Sequence, residues 1–251
     1  MTELDLLLDL HLDGDRQGPG TQKDTLRALY LSALDERSDL YIADIGCGTG
    51  GSTLVLAEEL DAKIVAVDFL QPFLDKLHED AAKKGLTDKV ETLCASMDAL
   101  PFEENCFDAI WSEGAIYNLG FDTGLKTFRP FLKPGGILAA SELTWLTDAR
   151  PAELDTHWNQ HYPDIATAGE KILQIERNGF TLLGYFVLPP SSWFDTYYRP
   201  LQARYKAFLD RHDHSDLAKA VVQENEDEIA LYEAYQDYVS YGFYIMKKTG
   251  A

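Results

Sequence analysis

The sequence is poor in cysteine and in long apolar runs. Its three cysteines, Cys47, Cys94 and Cys106, are odd in number and lack the spacing of a zinc site, so we expect neither a disulfide framework nor a metal centre. No apolar run reaches the roughly 20 residues that span a membrane. The amino-terminal MTELDLLLDL has no positive flank of a secretion signal. These absences predict a cytoplasmic protein without a stable insertion into a membrane.

Basic residues are also scarce. Lysine and arginine number 22 against 42 acidic residues in a chain of 251, which gives a net charge of −20. Such a field repels phosphate backbones at long range, so we expect no nucleic-acid partner. The apolar share of 45% and the charged share of 25% are those of an ordinary globular protein with a sizeable core.

The chain does contain an alternation of short apolar strands with helices, which begins at Tyr41. YIADI, KIVAVDF, VETLCA and FDAIWSE are the strand segments, and helical patterns separate several of them. This alternation is typical of βαβ units, so it predicts an α/β fold with a parallel sheet that is covered on both faces.

The glycine-rich segment IADIGCGTGG at 42–51 joins the first of these strands to a helix. Glycine at positions 46, 48 and 50 permits positive φ and a close approach of a ligand, and the start of the helix favours an anion. Gly46, Gly48 and Gly51 also satisfy the GxGxxG pattern of dinucleotide-binding proteins. The loop alone therefore leaves open a dinucleotide or a nucleoside that carries an amino acid.

Two aspartates beside the loop bear on this choice. Asp44 precedes the first glycine at the strand tip, where its charge would attract an amine and oppose a pyrophosphate. Asp68 ends the second strand and suits the hydroxyls of a ribose in either interpretation. Phe69 offers apolar surface to an adenine, although it could equally be a core residue. The charge of Asp44 favours a bound amino acid over NAD.

Four motifs occur in a fixed order along the chain: DIGCGTG, VDF, SMDALPFEENCFDAIWSEGA and LKPGG. On these motifs, residues 40–145 resemble the class I S-adenosylmethionine-dependent methyltransferases, in the small-molecule branch similar to ubiquinone/menaquinone-biosynthesis enzymes (methyltransferase type 11). FTLLGYFVL and YGFYIMKK resemble the strands that end that fold. The resemblance implies a Rossmann-like, seven-stranded, mostly parallel sheet with an antiparallel last strand and helical insertions.

The same resemblance implies that S-adenosylmethionine is the cofactor and that its methyl group passes to a small-molecule acceptor by in-line displacement. It implies one methyltransferase domain over 1–251 and leaves open whether two copies form a homodimer. The domain would comprise a helical arm (1–40), a cofactor-binding half (41–143), a lid insertion (144–166) and a helical insertion (189–239). The alternatives are an NAD-dependent Rossmann dehydrogenase and a catalytically silent regulatory module that binds S-adenosylmethionine.

The resemblance also assigns cofactor contacts. The amides of the glycine loop would line the methionine moiety, Asp44 and the backbone at Ser112 would lie near its ammonium group, and Asp68 would bind the ribose. Met97 and Asp98 would meet the adenine, with a helix cap as the alternative role for Asp98. The full expected set is Asp44, Gly46, Cys47, Gly48, Gly50, Asp68, Phe69, Met97, Asp98, Ser112 and Glu113.

On the acceptor side, Glu113 and Tyr117 are the candidate catalytic residues, and a cofactor contact is the preferred role for Glu113. Tyr117, Asn118 and Trp145 are the expected substrate-binding residues, although Tyr117 and Asn118 could equally pack the start of a helix. We expect segments 1–40 and 144–166 to close over the cofactor and to form most of the acceptor pocket.

Overall fold

The computed structural model of the protein describes residues 2–250. The strands in this range are β1 (Leu40–Ile45), β2 (Ala62–Asp68), β3 (Val90–Cys94), β4 (Phe107–Glu113), β5 (Leu132–Trp145), β6 (Ala166–Thr167), β7 (Phe180–Val187) and β8 (Val239–Lys248). The helices are α1 (Glu3–His11), α2 (Gln22–Ser32), α3 (Gly51–Glu59), α4 (Gln71–Lys84), α5 (Phe121–Phe128), α6 (Ala152–His161), α7 (Ala168–Arg177), α8 (Ser191–Trp193), α9 (Arg199–Arg211) and α10 (Asp216–Tyr235). A π-helical turn, Phe194–Tyr198, follows α8.

The strands form one sheet in the order β3-β2-β1-β4-β5-β8-β7, and the short β6 pairs with the end of β5. Strands β1 to β5 run parallel, whereas β8 runs antiparallel to both of its neighbours. This topology confirms the predicted mostly parallel sheet with an antiparallel last strand. The two-residue β6 is an addition to the seven strands that were expected. Because parallel strands end at the same edge, the tips of β1, β2 and β4 lie side by side.

Helices cover both faces of the sheet, which explains why β4 is buried along almost its whole length. Helices α2, α3 and α4 pack one apolar layer against one face, and α5 and α7 pack a second layer against the other. A third apolar cluster lies beneath the insertions, where α1 packs with α9 and α10. No helix within residues 2–250 has both the length and the apolar character needed to cross a membrane.

The amino-terminal segment contains two helices, and they pack in different places. Helix α1 joins the third cluster through Leu6 and Leu10, whereas α2 lies on the sheet through Ala28 and Leu29. Each helix begins with a threonine capping box. The turn-rich stretch 12–21 between them therefore connects the insertions to the edge of the sheet.

A fully buried ion pair fixes the segment that follows β5. The Lys171 ammonium on α7 lies 3.1 Å from the Glu142 carboxylate on β5, and both side chains are 0% exposed. The Tyr162 hydroxyl donates to the same carboxylate oxygen at 2.6 Å, and Lys171 also donates to the carbonyl of Asp164 at 2.9 Å. Burial raises the pKa of Glu142, and the Lys171 charge opposes that shift. The pair therefore ties β5, α7 and the end of the 144–166 segment together.

Removal of one partner should leave a buried charge without compensation. We expect Lys171→Met to lower the free energy of unfolding by about 3 to 5 kcal/mol near neutral pH, measured by urea denaturation. Lys126→Met is the matched control, because Lys126 pairs with Asp122 on the exposed face of α5 and should cost about 1 kcal/mol or less. Equal costs for the two variants would contradict the structural importance of the buried pair.

Candidate functional site

A cavity of about 530 Å³ opens at the tips of β1, β2 and β4. From β1 the sheet is extended by β2 and β3 on one side and by β4 and β5 on the other, so the strand order changes direction between β1 and β4. The cavity lies at this point, which is the usual ligand position in an open α/β sheet. Its walls come from the glycine loop, the end of β2, residues 95–98, the turn after β4 and the 16–19 stretch of the amino-terminal segment. The predicted residues among them are Gly46, Cys47, Gly48, Asp68, Phe69, Met97, Asp98, Glu113, Tyr117 and Asn118.

Close contacts and backbone hydrogen bonds fix the conformation of the glycine loop. Gly46 and Gly48 have φ of 76° and 54°, and a Cβ atom at Gly48 would collide with the side chain of Gln17. The amides of Gly46 and Cys47 donate to the Val67 carbonyl at 2.8 and 3.0 Å. Gly48 donates to Asp68 at 3.0 Å, and the Gly50 amide donates to the Cys47 carbonyl at 2.9 Å. These N–H groups are therefore paired within the protein. Gly46, Cys47 and Gly48 nevertheless line the cavity, so their contact with a cofactor stays a prediction, made by atoms other than these N–H groups.

Gly50 itself lies outside the cavity wall. Its φ is 90°, and a Cβ atom there would collide with Leu77 of α4. A larger residue at this position would not fit, because α3 begins in close contact with α4. The role of Gly50 is therefore to allow the two helices to pack.

The unpaired amides lie one residue further along, at the start of α3. Neither Gly51 nor Ser52 donates a backbone hydrogen bond within the described part of the chain, and both residues line the cavity. The guanidinium of Arg16 lies beside them and donates to the Gly51 carbonyl at 3.1 Å. The two first-turn amides favour an anion at this end of the cavity, beside the Arg16 guanidinium, which is itself paired with Glu113.

The Glu113 carboxylate holds the amino-terminal segment in place. One of its oxygen atoms accepts hydrogen bonds from the Thr25 hydroxyl at 2.7 Å and the Trp111 indole at 2.8 Å, and the other pairs with Arg16 at 2.6 Å. The side chain is only 6% exposed. Because its charge is compensated and three donors occupy it, Glu113 is poorly placed to act as a general base, which corrects its candidate catalytic role.

Residues 16 and 17 are functional candidates that sequence reasoning missed. The Gln17 side chain accepts from the Thr49 amide at 2.9 Å and donates to the Thr49 hydroxyl at 2.9 Å, so it lies directly over the glycine loop. Arg16 lines the cavity beside it. A lone arginine in the acidic turn DGDRQGPG was the available signal.

Asp68 lies at the cavity as the sequence predicted. Its two carboxylate oxygens accept from the amides of Leu70 and Gly48, each at 3.0 Å, and burial raises the pKa of the group. Each oxygen keeps a further lone pair for a ligand. The ring of Phe69 is 60% exposed, and Met97 lines the same cavity. The structure therefore brings a hydrogen-bonding carboxylate and apolar surface together at one end.

Asp44 and Ser112 do not reach the cavity. The buried Asp44 carboxylate accepts from the hydroxyls of Ser52 at 2.8 Å and Thr53 at 2.6 Å, because the first turn of α3 supplies nearby donors. The Ser112 hydroxyl donates to the Ile45 carbonyl at 2.9 Å and joins β4 to β1. The second Asp44 oxygen, Oδ1, is buried without a hydrogen-bond partner among the described residues, so the expected contact with a ligand ammonium group stays a prediction although Asp44 does not line the cavity. The Ser112 side chain serves the sheet.

Tyr117 and Asn118 line the cavity, but Trp145 does not. Trp145 is 3% exposed because it pairs with Val239 across the β5–β8 ladder and packs in the third cluster. No residue of segment 144–166 lines this cavity. The Tyr162 ring lies behind that of Tyr117, with centroids 6.0 Å apart, so the segment supports the wall from outside.

Comparison with known proteins gives partial matches in sequence. Residues 42–136 match a family described as a methyltransferase domain. The demethylmenaquinone methyltransferase of Lactococcus lactis is 33% identical over 128 residues, which cover 48% of this chain and 49% of that protein. Other curated relatives are named as methyltransferases of sterols and of phosphoethanolamine. This chain spans less than half the length of these relatives.

Solved structures match over nearly the whole chain. A SAM-dependent methyltransferase from Geobacter sulfurreducens in complex with S-adenosyl-L-homocysteine has a TM-score of 0.84 and 17% identity, covering 96% of this chain and 97% of that one. The [4+2]-cyclase SpnF has a TM-score of 0.75 and 21% identity, covering 99% and 93%. These likenesses concern the fold, and one fold can carry different reactions.

The buried Asp44 should make stability depend on pH. Burial raises its pKa from 3.8 to about 6, against the hydroxyls of Thr53 and Ser52. A folded pKa above the unfolded one gives stability that is complete below the unfolded pKa and is lost as the pH rises through the folded pKa. Relative to Asp44→Asn, the wild-type free energy of unfolding should therefore fall by about 2 kcal/mol between about pH 4 and pH 7.

Urea denaturation across that pH range measures the difference between the two proteins. Asp35→Asn is the matched control, since Asp35 is exposed and should show a constant difference from wild type. A constant difference for Asp44→Asn as well would show that this carboxyl group has no raised pKa in the folded protein.

Proposed function

We propose that this chain, whose residues 42–136 form a class I S-adenosylmethionine-dependent methyltransferase domain, transfers a methyl group to a small-molecule acceptor. The observation that supports the proposal is one cavity that joins the first-turn amides of α3, the Asp68 carboxylate and the ring of Tyr117. Its volume of about 530 Å³ lies within the range of pockets for ligands of this size.

At the nucleoside end, Asp68 would accept hydrogen bonds from the two ribose hydroxyls through its remaining lone pairs. Phe69 and Met97 would contact the faces of the adenine, and Asp98 would accept from its exocyclic amine. These contacts need only residues that line the same cavity. Together they would bind a nucleoside at the ends of β2 and β3.

At the other end, the methionine carboxylate would lie against Arg16 and the amides of Gly51 and Ser52. The two amides have no partner among the described residues, and the Arg16 guanidinium, although it is paired with Glu113, lines the cavity beside them. The arrangement replaces the amides of Gly46, Cys47 and Gly48, whose protons are used inside the loop.

When bound, S-adenosylmethionine supplies an electrophilic methyl group on a sulfonium. The residues of this chain mainly hold the acceptor in line with that methyl group, and positioning alone can supply about 7 to 11 kcal/mol in favourable reactions. Tyr117 lines the same cavity in the turn after β4 and is our candidate for contact with the acceptor. Because the Glu113 carboxylate is occupied, we assign the acceptor contact to Tyr117 and an anchoring role to Glu113.

We further propose that the protein acts in the cytoplasm, on small molecules rather than nucleic acid. The net charge of −20 supports this exclusion. Curated relatives named for sterols, demethylmenaquinone and phosphoethanolamine support a small-molecule acceptor without selecting one.

Calorimetry should show that S-adenosylhomocysteine binds in the low micromolar range, worth roughly 8 kcal/mol, and that NADH does not bind. Asp68→Ala should weaken that binding by about 1 to 3 kcal/mol, because the ribose hydroxyls lose a charged acceptor. The exposed Asp35→Ala is the matched control and should bind like wild type.

Binding of NADH instead would favour a dehydrogenase. Binding of S-adenosylhomocysteine without its production from S-adenosylmethionine, with amine, quinol and sterol acceptors, would favour the silent regulatory module. Wild-type affinity in a folded Asp68→Ala variant would reject the ribose contact.

Arg16→Met should weaken the binding of S-adenosylhomocysteine by about 1.5 to 3 kcal/mol, which is the contribution of a hydrogen bond to a charged group. It should weaken the binding of 5′-methylthioadenosine much less, because that nucleoside lacks the amino-acid carboxylate. Asp68→Ala is the converse control and should weaken both ligands. Equal losses for both ligands in Arg16→Met would show that Arg16 acts by shaping the cavity as a whole.

A further inference from the structure

Beyond the proposed donor contacts, the cavity is lined by two segments of the chain. One is the stretch 17–19 of the amino-terminal segment, and the other is the turn 114–119 that follows β4. The Arg16–Glu113 ion pair, with 2.6 Å between Nη1 and Oε2, joins the two segments, since each partner directly precedes one of them. We name the residues of 17–19 and 114–119 that line the cavity the acceptor wall.

The acceptor wall contains no charged residue. QGPGTQ at 17–22 and GAIYNLGF at 114–121 lack aspartate, glutamate, lysine, arginine and histidine, although 25% of the chain is charged. Pro19 and Leu119 supply apolar side chains to the wall, and Tyr117 and Asn118 supply neutral polar ones. The Tyr117 side chain is 40% exposed, so a ligand can contact it directly. A ligand at this wall therefore meets apolar surface and uncharged hydrogen-bonding groups.

The charged residues that line the rest of the cavity are either paired or distant from this wall. Arg16 and Glu113 pair with each other, and further hydrogen-bond donors satisfy the carboxylate. Neighbouring strands lie about 4.8 Å apart, so the ends of β2 and β4, which β1 separates, lie roughly 10 Å apart. Asp68 ends β2, and Asp98 follows β3, which is one strand further away. Among the described residues that line the cavity, no unpaired charge therefore adjoins the acceptor wall.

Asn118 supplies a neutral hydrogen-bond acceptor on the wall. Its side-chain nitrogen donates to the Ala115 carbonyl at 3.0 Å, and this bond fixes the orientation of the amide group. The side-chain oxygen is the atom left to accept a hydrogen bond from a ligand. The Gln17 amide group, by contrast, uses both its oxygen and its nitrogen on Thr49. Asn118 can therefore contact a polar group of the ligand, whereas Gln17 is engaged within the protein.

We propose that the acceptor wall selects an uncharged methyl acceptor with an apolar body, and that Asn118 is a specificity-determining residue for it. The proposal rests on the proposed function, because it places the acceptor beside a bound methyl donor. A charged group that leaves water costs free energy unless a counter-charge or hydrogen bonds compensate it, whereas apolar groups gain free energy from the same transfer. An ammonium or carboxylate group would find no counter-charge on this wall.

Three probes with similar skeletons and different charges test the proposal: 2-phenylethanol, phenethylamine and phenylacetate. Their binding to the wild-type chain, saturated with S-adenosylhomocysteine, is measured by ligand-observed NMR near neutral pH. We expect the alcohol to bind about tenfold or more tighter than either ion, because each ion loses hydration without gaining a counter-charge. The net charge of −20 favours cations at long range, so that field cannot produce a preference for the alcohol over the amine.

Two substitutions at one position should change this selectivity in opposite directions. Asn118→Asp places a negative charge on the wall, and it should raise the affinity for phenethylamine relative to 2-phenylethanol about tenfold or more. Asn118→Lys places a positive charge there, and it should do the same for phenylacetate. Asn159→Asp and Asn159→Lys are the matched controls, because Asn159 is exposed on α6 outside the cavity and the net charge changes equally. Neither control should change the order of the probes.

Binding of either ion as tight as that of the alcohol, or no binding of 2-phenylethanol at millimolar concentration, would overturn the proposal. That ranking is measured on the wild-type chain, so it does not depend on the folding of a variant. Unchanged selectivity in folded Asn118→Asp and Asn118→Lys would reject the role of Asn118. The affinity for S-adenosylhomocysteine is measured in the same samples. Absence of that binding would reject the proposed function, whereas donor binding without a preference for the alcohol would reject this inference alone.

Discussion

The cavity depends on the carboxylate of Glu113 and its three donors. Arg16 comes from the amino-terminal turn, Thr25 from α2 and Trp111 from β4, so one carboxylate joins three parts of the chain that are distant in sequence. Charge-assisted hydrogen bonds are strong where water is excluded, and separation of a buried pair leaves both charges exposed to a low dielectric. This contact keeps Arg16 and Gln17 above the glycine loop.

The cavity and the aromatic insertion come from different parts of the chain, one inside and one outside the matched family domain. Residues 42–136, which match the methyltransferase domain, carry the glycine loop, Asp68 and the turn after β4. The aromatic cluster around Trp193 comes from outside that range, as does Glu228 on α10. The glycine loop and Asp68 thus come from the matched segment, whereas Arg16, Gln17 and the aromatic cluster come from outside it.

Much of the fold could be predicted from the sequence because its signals are local. The alternation of strands and helices is readable within windows of about ten residues, and Asp68 was assigned correctly to the end of β2 and to the cavity edge. The direction of the Asp44 side chain was not predictable, since it depends on hydroxyls that α3 brings above β1. The prediction that Trp145 contacts the substrate was wrong for a similar reason, because the burial of Trp145 depends on the pairing of β5 with β8.

The role of Arg16 was hidden by distance along the chain, since its partner Glu113 lies 97 positions away. The same stretch also contacts the insertions: the Gly20 amide donates to the Ser192 carbonyl at 3.0 Å, and the Thr196 hydroxyl donates to the Gly20 carbonyl at 2.9 Å. A short stretch of chain is thus bonded both to the glycine loop and to the helical insertion around Trp193. A displacement of this stretch would therefore disturb the cavity wall and the aromatic cluster of the insertion together, so the two regions are mechanically coupled.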